Sequence, residues 1–254
     1  MKRSTLRYGP DRAQVAEVWR PDDGSRRLPA VVLIHGGFWR QLYTKRLMHR
    51  LAKAVVAHGW VAYNMEYRRV GAFGHGGWPA TFDDVADAIE ALARVEGVDH
   101  RRVVTVGHSA GGHLALWAGS SRSTERAGAG PVSVRVCAAV SLAGVVDLAA
   151  AARSALGGGA VAALMGGGPD DVPDRYALGS PASLLPLHTP QFLLHGSADT
   201  TVPASLSADY VALARSLGDR AEYVPVPGAG HLDMINPRGR AFPELVARLE
   251  TVLG

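Results

Sequence analysis

Cysteine is almost missing from this chain of 254 residues, and the one thiol, Cys137, rules out an intrachain disulfide and any metal site built from clustered cysteines. It lies in the apolar stretch 134–142, where it reads as a buried structural residue. Long apolar runs are missing too. No segment reaches the length of a membrane span, and the basic start Met1-Lys2-Arg3 is not followed by a signal-peptide core, so a cytoplasmic location without membrane association is expected. Charge of one sign is nowhere massed. The net charge of +4 comes from scattered residues, and the pairs Arg26/Arg27, Arg68/Arg69 and Arg101/Arg102 flank apolar runs. Solvated strand ends explain such pairs better than a nucleic-acid partner does. Neither a repeat nor a linker is visible, so a single domain over 1–254 is expected.

Apolar runs of strand length alternate with longer amphipathic segments from about residue 30 onward, the pattern of a mostly parallel sheet flanked by helices in an α/β fold. The strands are expected at Ala30–Ile34, Trp60–Met65, Val103–Gly107, Val136–Leu142, Gln191–His195 and Glu222–Val226. Helices are expected at Thr44–Ala57, Ala80–Arg94, Ala110–Ser120, Ala204–Leu217 and Pro243–Leu253. Val15–Trp19 reads as an antiparallel edge strand ahead of the series. Two Gly-rich stretches, Gly157–Gly159 and Gly166–Gly168, interrupt the segment from Asp147 to Pro190, which reads as a small, flexible cap inserted between strands.

Gly107-His108-Ser109-Ala110-Gly111 fits Gly-x-Ser-x-Gly, in which small neighbours let the chain turn sharply and present a serine hydroxyl. The pattern is weak alone, but here an apolar strand runs into it and Gly112-His113-Leu114-Ala115-Leu116-Trp117 continues it as a helix. A helix N-terminus directs unpaired amides at the serine, where negative charge develops in acyl transfer. Ser109 is therefore the candidate nucleophile and the Ala110 amide a candidate oxyanion donor. His35-Gly36-Gly37-Phe38-Trp39 follows the first long strand, and its adjacent glycines allow close backbone approach, so Gly36 or Gly37 supplies the second donor.

A serine needs a base, and the base usually needs a carboxylate to fix its tautomer. His231, in Gly228-Ala229-Gly230-His231-Leu232 beyond the last strand, stands late in the chain, as the order Ser, Asp, His requires. His108 and His113 neighbour the serine but point elsewhere from a turn of this kind, and His35 and His195 end strands. Asp199, on the loop after Gln191–Leu194, is the candidate acid; Asp233 and Asp147 are its rivals. Phe38, Trp39 and Trp78 fall on loops at the same end of the sheet and are candidates for an apolar substrate pocket, with core or cap packing as their alternative. No set of Cys, His or carboxylates has the spacing of metal ligands, so neither a metal nor an organic cofactor is expected.

From about Ala30 to its end the sequence resembles the α/β-hydrolase superfamily. Within it His35-Gly36-Gly37-Phe38-Trp39-Arg40 is similar to the HGGxW signature of small carboxylesterases and kynurenine formamidases, as Tyr8-Gly9-Pro10 is to that group's N-terminal segment. The resemblance implies hydrolysis of small ester or amide substrates through an acyl-enzyme, with catalytic roles for Ser109, Asp199 and His231 and oxyanion roles for Gly36 and Gly37. Glu66-Tyr67-Arg68-Arg69-Val70 and Gly76-Gly77-Trp78-Pro79-Ala80 look more like bacterial esterases and the catalytic domain of prolyl-oligopeptidase-type peptidases than like a dedicated formamidase. A serine carboxylesterase is the leading expectation. An arylformamidase, a peptidase and an acyltransferase are the enzymatic alternatives, and a ligand-binding receptor is the non-enzymatic one, which the unsubstituted Ser, Asp and His argue against. A homodimer stays open as the assembly.

Overall fold

The apolar runs do pair, and they pair in one sheet. The structure, a computed structural model, describes residues 1–22, 27–120 and 133–254. Its strands are β1 (Lys2–Arg7), β2 (Val15–Arg20), β3 (Leu28–Ile34), β4 (Val61–Met65), β5 (Val98–His108), β6 (Val136–Leu142), β7 (Gln191–Gly196) and β8 (Ala221–Val226). They form an 8-stranded sheet in the order β1-β2-β4-β3-β5-β6-β7-β8. β2 runs antiparallel to both β1 and β4, and the pairs from β4 through β8 are parallel.

Side chains on a strand alternate between faces, and here each face is covered by helices. Ala30, Val32 and Ile34 of β3 point into a core shared with α2 (Ala80–Ala91) and α3 (Ala110–Ala118). Val31 and Leu33 point into the opposite core, built with α1 (His49–Ala57) and the C-terminal helix Ala241–Leu253. All of α3 is buried. Among the described residues no helix is long and apolar enough to cross a membrane.

Three expectations need correction. Val15–Trp19 is not the edge: β2 lies between β4 and β1, and β1, exposed everywhere except at Leu6, carries no apolar alternation for pattern reading to find. The inserted segment is not loose: it forms α4 (Leu148–Arg153), α5 (Ala160–Met165) and α6 (Pro173–Gly179). Their Leu148, Ala151, Val161, Leu164, Met165 and Tyr176 join the main core. Of the glycines read as flexible, Gly159 and Gly166 are helix ends, at φ 77° before α5 and φ 76° after it, backbone values that favour glycine. Cys137 is half-buried rather than buried, and burial raises its thiol pKa, which keeps the thiolate scarce.

One ion pair with a buried carboxylate ties the sheet edge to the loops above it. Asp84, fully buried on α2, accepts from Arg68 Nη2 at 2.6 Å, from Arg68 N at 2.7 Å and from Gln14 Nε2 at 2.7 Å. Removing one partner of such a pair strands the other's charge. Arg68→Ala, which leaves the buried Asp84 carboxylate without its cation, is expected to lower the unfolding free energy by about 3–5 kcal/mol, read from urea titrations; a loss below about 1 kcal/mol would give the pair no structural weight.

Candidate active site

Parallel strands end on the same side, so the loops that follow them meet. Ile34 of β3 lies opposite Gly107 of β5, His108 opposite Leu142 of β6, Leu142 opposite Leu194 of β7, and Gly196 opposite Val226 of β8. Ser109, Asp199 and His231 follow β5, β7 and β8 at this edge.

Ser109 sits between β5 and α3 with φ 55° and ψ −120°, a conformation that costs a non-glycine residue roughly 1–3 kcal/mol. The surroundings impose it. A Cβ on Gly107 would lie 1.8 Å from the Gly111 carbonyl oxygen, and one on Gly111 would lie 2.1 Å from that of Ile34. The Ser109 amide donates to the Leu142 carbonyl at 2.9 Å, which anchors the turn to β6. Ala110 opens α3, and neither its N–H nor those of Gly36 and Gly37 is spent on another group among the described residues.

His231 Nδ1 donates to Asp199 Oδ2 at 2.7 Å. The Asp199 carboxylate has no exposed surface, and its other oxygen accepts from the amides of Thr201 at 2.8 Å and Val202 at 3.0 Å. Burial alone would raise its pKa, but the Val202 amide, His231 and the Thr201 amide outweigh it and hold the carboxyl below its usual range. The two loops are laced together by Ser197 N to the Val226 carbonyl and Ala198 N to the Ala229 carbonyl, each at 3.0 Å. Of the rival carboxylates, Asp233 accepts from Gly230 N at 2.8 Å and Asp147 from Ala150 N at 3.0 Å, so both are turn and helix caps.

Two further histidines brace this pair, and sequence reasoning set both aside. The ring of His108 lies 4.6 Å from that of His231, and its Nε2 donates to the His231 carbonyl at 3.0 Å. Burial, and then the nearby His231, push the His108 pKa down to about 3, so the ring is neutral. His195, fully buried, donates from Nε2 to the Val202 carbonyl at 3.0 Å while lying 3.3 Å from Asp199 Oδ2, and its Nδ1 accepts from Ser207 Oγ at 2.8 Å. Their position directly before a functional loop was the only signal.

The loop after β3 brings Gly36 against the serine: a Cβ there would come within 2.9 Å of Ser109 Cβ. The three aromatic candidates divide. Trp39 has no exposed surface and packs edge-on against His113 at 5.3 Å, so it belongs to the core and not to a pocket wall. Phe38 and Trp78 are half-buried against the inserted helices, Phe38 over Gly157 and Trp78 through its amide to the Leu164 carbonyl at 2.7 Å.

A mostly parallel sheet, a strained serine between strand and helix, and an Asp–His pair on the loops of its last two strands define the α/β-hydrolase fold. Within it, the chain belongs to the BD-FAE family, whose model matches residues 16–213. It is 29% identical over 245 residues to Esterase LipC of Mycobacterium tuberculosis (strain ATCC 25618 / H37Rv), covering 90% of this chain and 59% of LipC. Among solved structures, a bifunctional GH43-CE chain of Bacteroides eggerthii superposes with a TM-score of 0.83 at 25% identity, over 99% of this chain and 35% of the other. Est2, an esterase of Thermogutta terrifontis, gives a TM-score of 0.76 at 24% identity, over 98% of this chain and 90% of its own.

Two outcomes follow from the buried groups. His108 at about 3 and His113 at about 4, the latter depressed by burial, both refuse protons in the folded state that the unfolded chain accepts near 6.5. Stability is therefore full above about pH 6.5 and falls as pH drops towards 4, while Asp199, held low, adds its loss only below about pH 4. Urea unfolding at a series of pH values checks this, and His113→Asn should flatten the slope. Trp39→Ala should cost about 3–5 kcal/mol in the same titrations, and an intact stability with an altered KM would return Trp39 to the pocket.

Proposed function

We propose that this chain is a serine carboxylesterase acting on small or aromatic esters. The observation that carries the proposal is the Asp199–His231 bond of 2.7 Å, on loops at the same sheet edge as a strained serine whose neighbouring amides are unspent. The kinship with LipC and with the GH43-CE chain supports the same chemistry, and because the chain spans only 59% of the one and 35% of the other, their full activities do not carry over.

In this reading His231 takes the hydroxyl proton of Ser109 as the oxygen attacks the ester carbonyl. The carbonyl π electrons move onto oxygen, and the amide of Ala110, with one from the loop after β3, receives the oxyanion. Asp199 stabilises the imidazolium formed and holds its ring in place. Collapse returns the electron pair, breaks the bond to the alcohol, and His231 hands its proton to that leaving group. Water, deprotonated by His231, repeats the cycle on the acyl-serine and releases the acid. Preorganised donors of this type are each worth about 10²–10³ in rate.

Phe38 and Trp78, seated between the loops and the inserted helices, would border the acyl or alcohol site. A cytoplasmic location is compatible with the single unpaired thiol. The test compares the protein with Ser109→Ala on p-nitrophenyl acetate and butyrate, on N-formylkynurenine and on a proline p-nitroanilide. Ester turnover should fall by on the order of 10⁴-fold or more in the variant, with its fold retained. Preference for the formamide or the anilide would move the reading to formamidase or peptidase, and equal rates in both proteins would end it.

A further inference from the structure

Glu66, which follows β4 in the Glu66-Tyr67-Arg68-Arg69 run, is a buried carboxylate that no step above uses. Its Oε1 accepts from His35 Nε2 at 2.6 Å and from the Tyr67 amide at 3.3 Å, and its Oε2 accepts from the Lys45 amide at 3.0 Å. Arg69 Nη1 stands 3.4 Å away. Burial would raise the Glu66 pKa, but the bond from His35 and the charges around it hold the carboxyl ionised and below its usual range.

His35 is gripped on every side. Its ring stacks on Tyr67 with centroids 4.4 Å apart and planes 14° from parallel, and the Tyr67 hydroxyl donates to the His35 carbonyl at 2.9 Å. The remaining ring nitrogen, Nδ1, lies 2.7 Å from the Gly36 carbonyl oxygen. In a planar trans peptide the C=O and the following N–H point in opposite directions. Holding the Gly36 carbonyl back towards His35 therefore fixes where the Gly37 N–H is aimed.

We propose that Glu66 and His35 are positioning residues for the oxyanion hole, and that through the Gly36–Gly37 peptide they direct the Gly37 N–H at the oxygen of the reacting carbonyl. This rests on the serine esterase reading. It decides between the two glycines: Gly36 is buried against Ser109, whereas Gly37 is partly exposed and has φ 116°, which a side chain would resist. Both ring nitrogens of His35 face oxygens of this link, Nε2 the Glu66 carboxylate at 2.6 Å and Nδ1 the Gly36 carbonyl at 2.7 Å. The charged and titratable groups around the ring are Glu66, Arg69 beyond it, Tyr67 on its face, and the neutral His108 on the far side of Gly36.

Glu66→Gln keeps the size and one acceptor but removes the charge. With p-nitrophenyl butyrate, kcat should fall about tenfold to a hundredfold with KM within about threefold. Affinity for a trifluoromethyl ketone, whose adduct with Ser109 carries the oxyanion, should fall by the same factor, while circular dichroism shows the fold retained. A folded Glu66→Gln protein with wild-type kcat, or with unchanged ketone affinity, overturns the proposal. Amide NMR reads the link without activity: Glu66→Gln should shift the Gly37 N–H resonance, and an unmoved one overturns the proposal. Wild-type protein inert on every ester would instead defeat the esterase reading and leave the Gly37 resonance to judge the link by itself.

Discussion

The reactive end of this molecule depends on a packing constraint that leaves no room for Cβ atoms on either side of one serine. Gly107 and Gly111 face each other across the turn, and Gly111 lies on the last carbonyl of β3, so a side chain at either would push β5, α3 and β3 apart. Only with those strands and that helix in van der Waals contact does Ser109 keep its unfavourable backbone angles. The same closeness carries the glycine loop after β3 to the serine. One steric arrangement thus sets the nucleophile and the amides around it together.

Around that turn the protein spends its buried polar groups with unusual concentration. Asp199 is encircled by two amides and two imidazoles, Glu66 by an imidazole, two amides and a guanidinium, and Asp84 by Arg68 and Gln14. Each carboxylate sits on a different loop or helix and reaches across to another. A buried charge tolerates this only where its partners are complete, so each group fixes the place of the elements around it. The loops at this end are irregular in backbone but held rigidly in space by these contacts.

What the sequence revealed followed the physics of its signals. Strands with both faces buried are continuous apolar runs, so β3 to β8 were legible, and the nucleophile was legible because a local steric motif needs only local residues. β1 was missed because an exposed edge strand has no reason to alternate. The three helices of the insertion were missed because each is only six or seven residues long and rich in alanine or broken by glycine, so the start signals Asp147 and Pro173 had no helical period to mark. Glu66 and His195 could not be read for their roles: each acts through partners brought up by the fold, and the one visible hint was an unusual run beside an expected strand end. Trp39 was placed on the right loop, but whether its ring turned in or out was a matter of packing alone.

The two margins of the sheet differ in how they are kept from growing. On one side β1 presents Lys2, Arg3 and Arg7 to solvent. On the other, β8 carries Pro225, exposed and without an N–H to offer, and the half-buried Glu222. An unpaired strand invites another chain to add itself, and cations on one border with a proline on the other are the means by which proteins discourage it. These few residues, remote from the reacting serine, thus make both margins poor templates for a further strand.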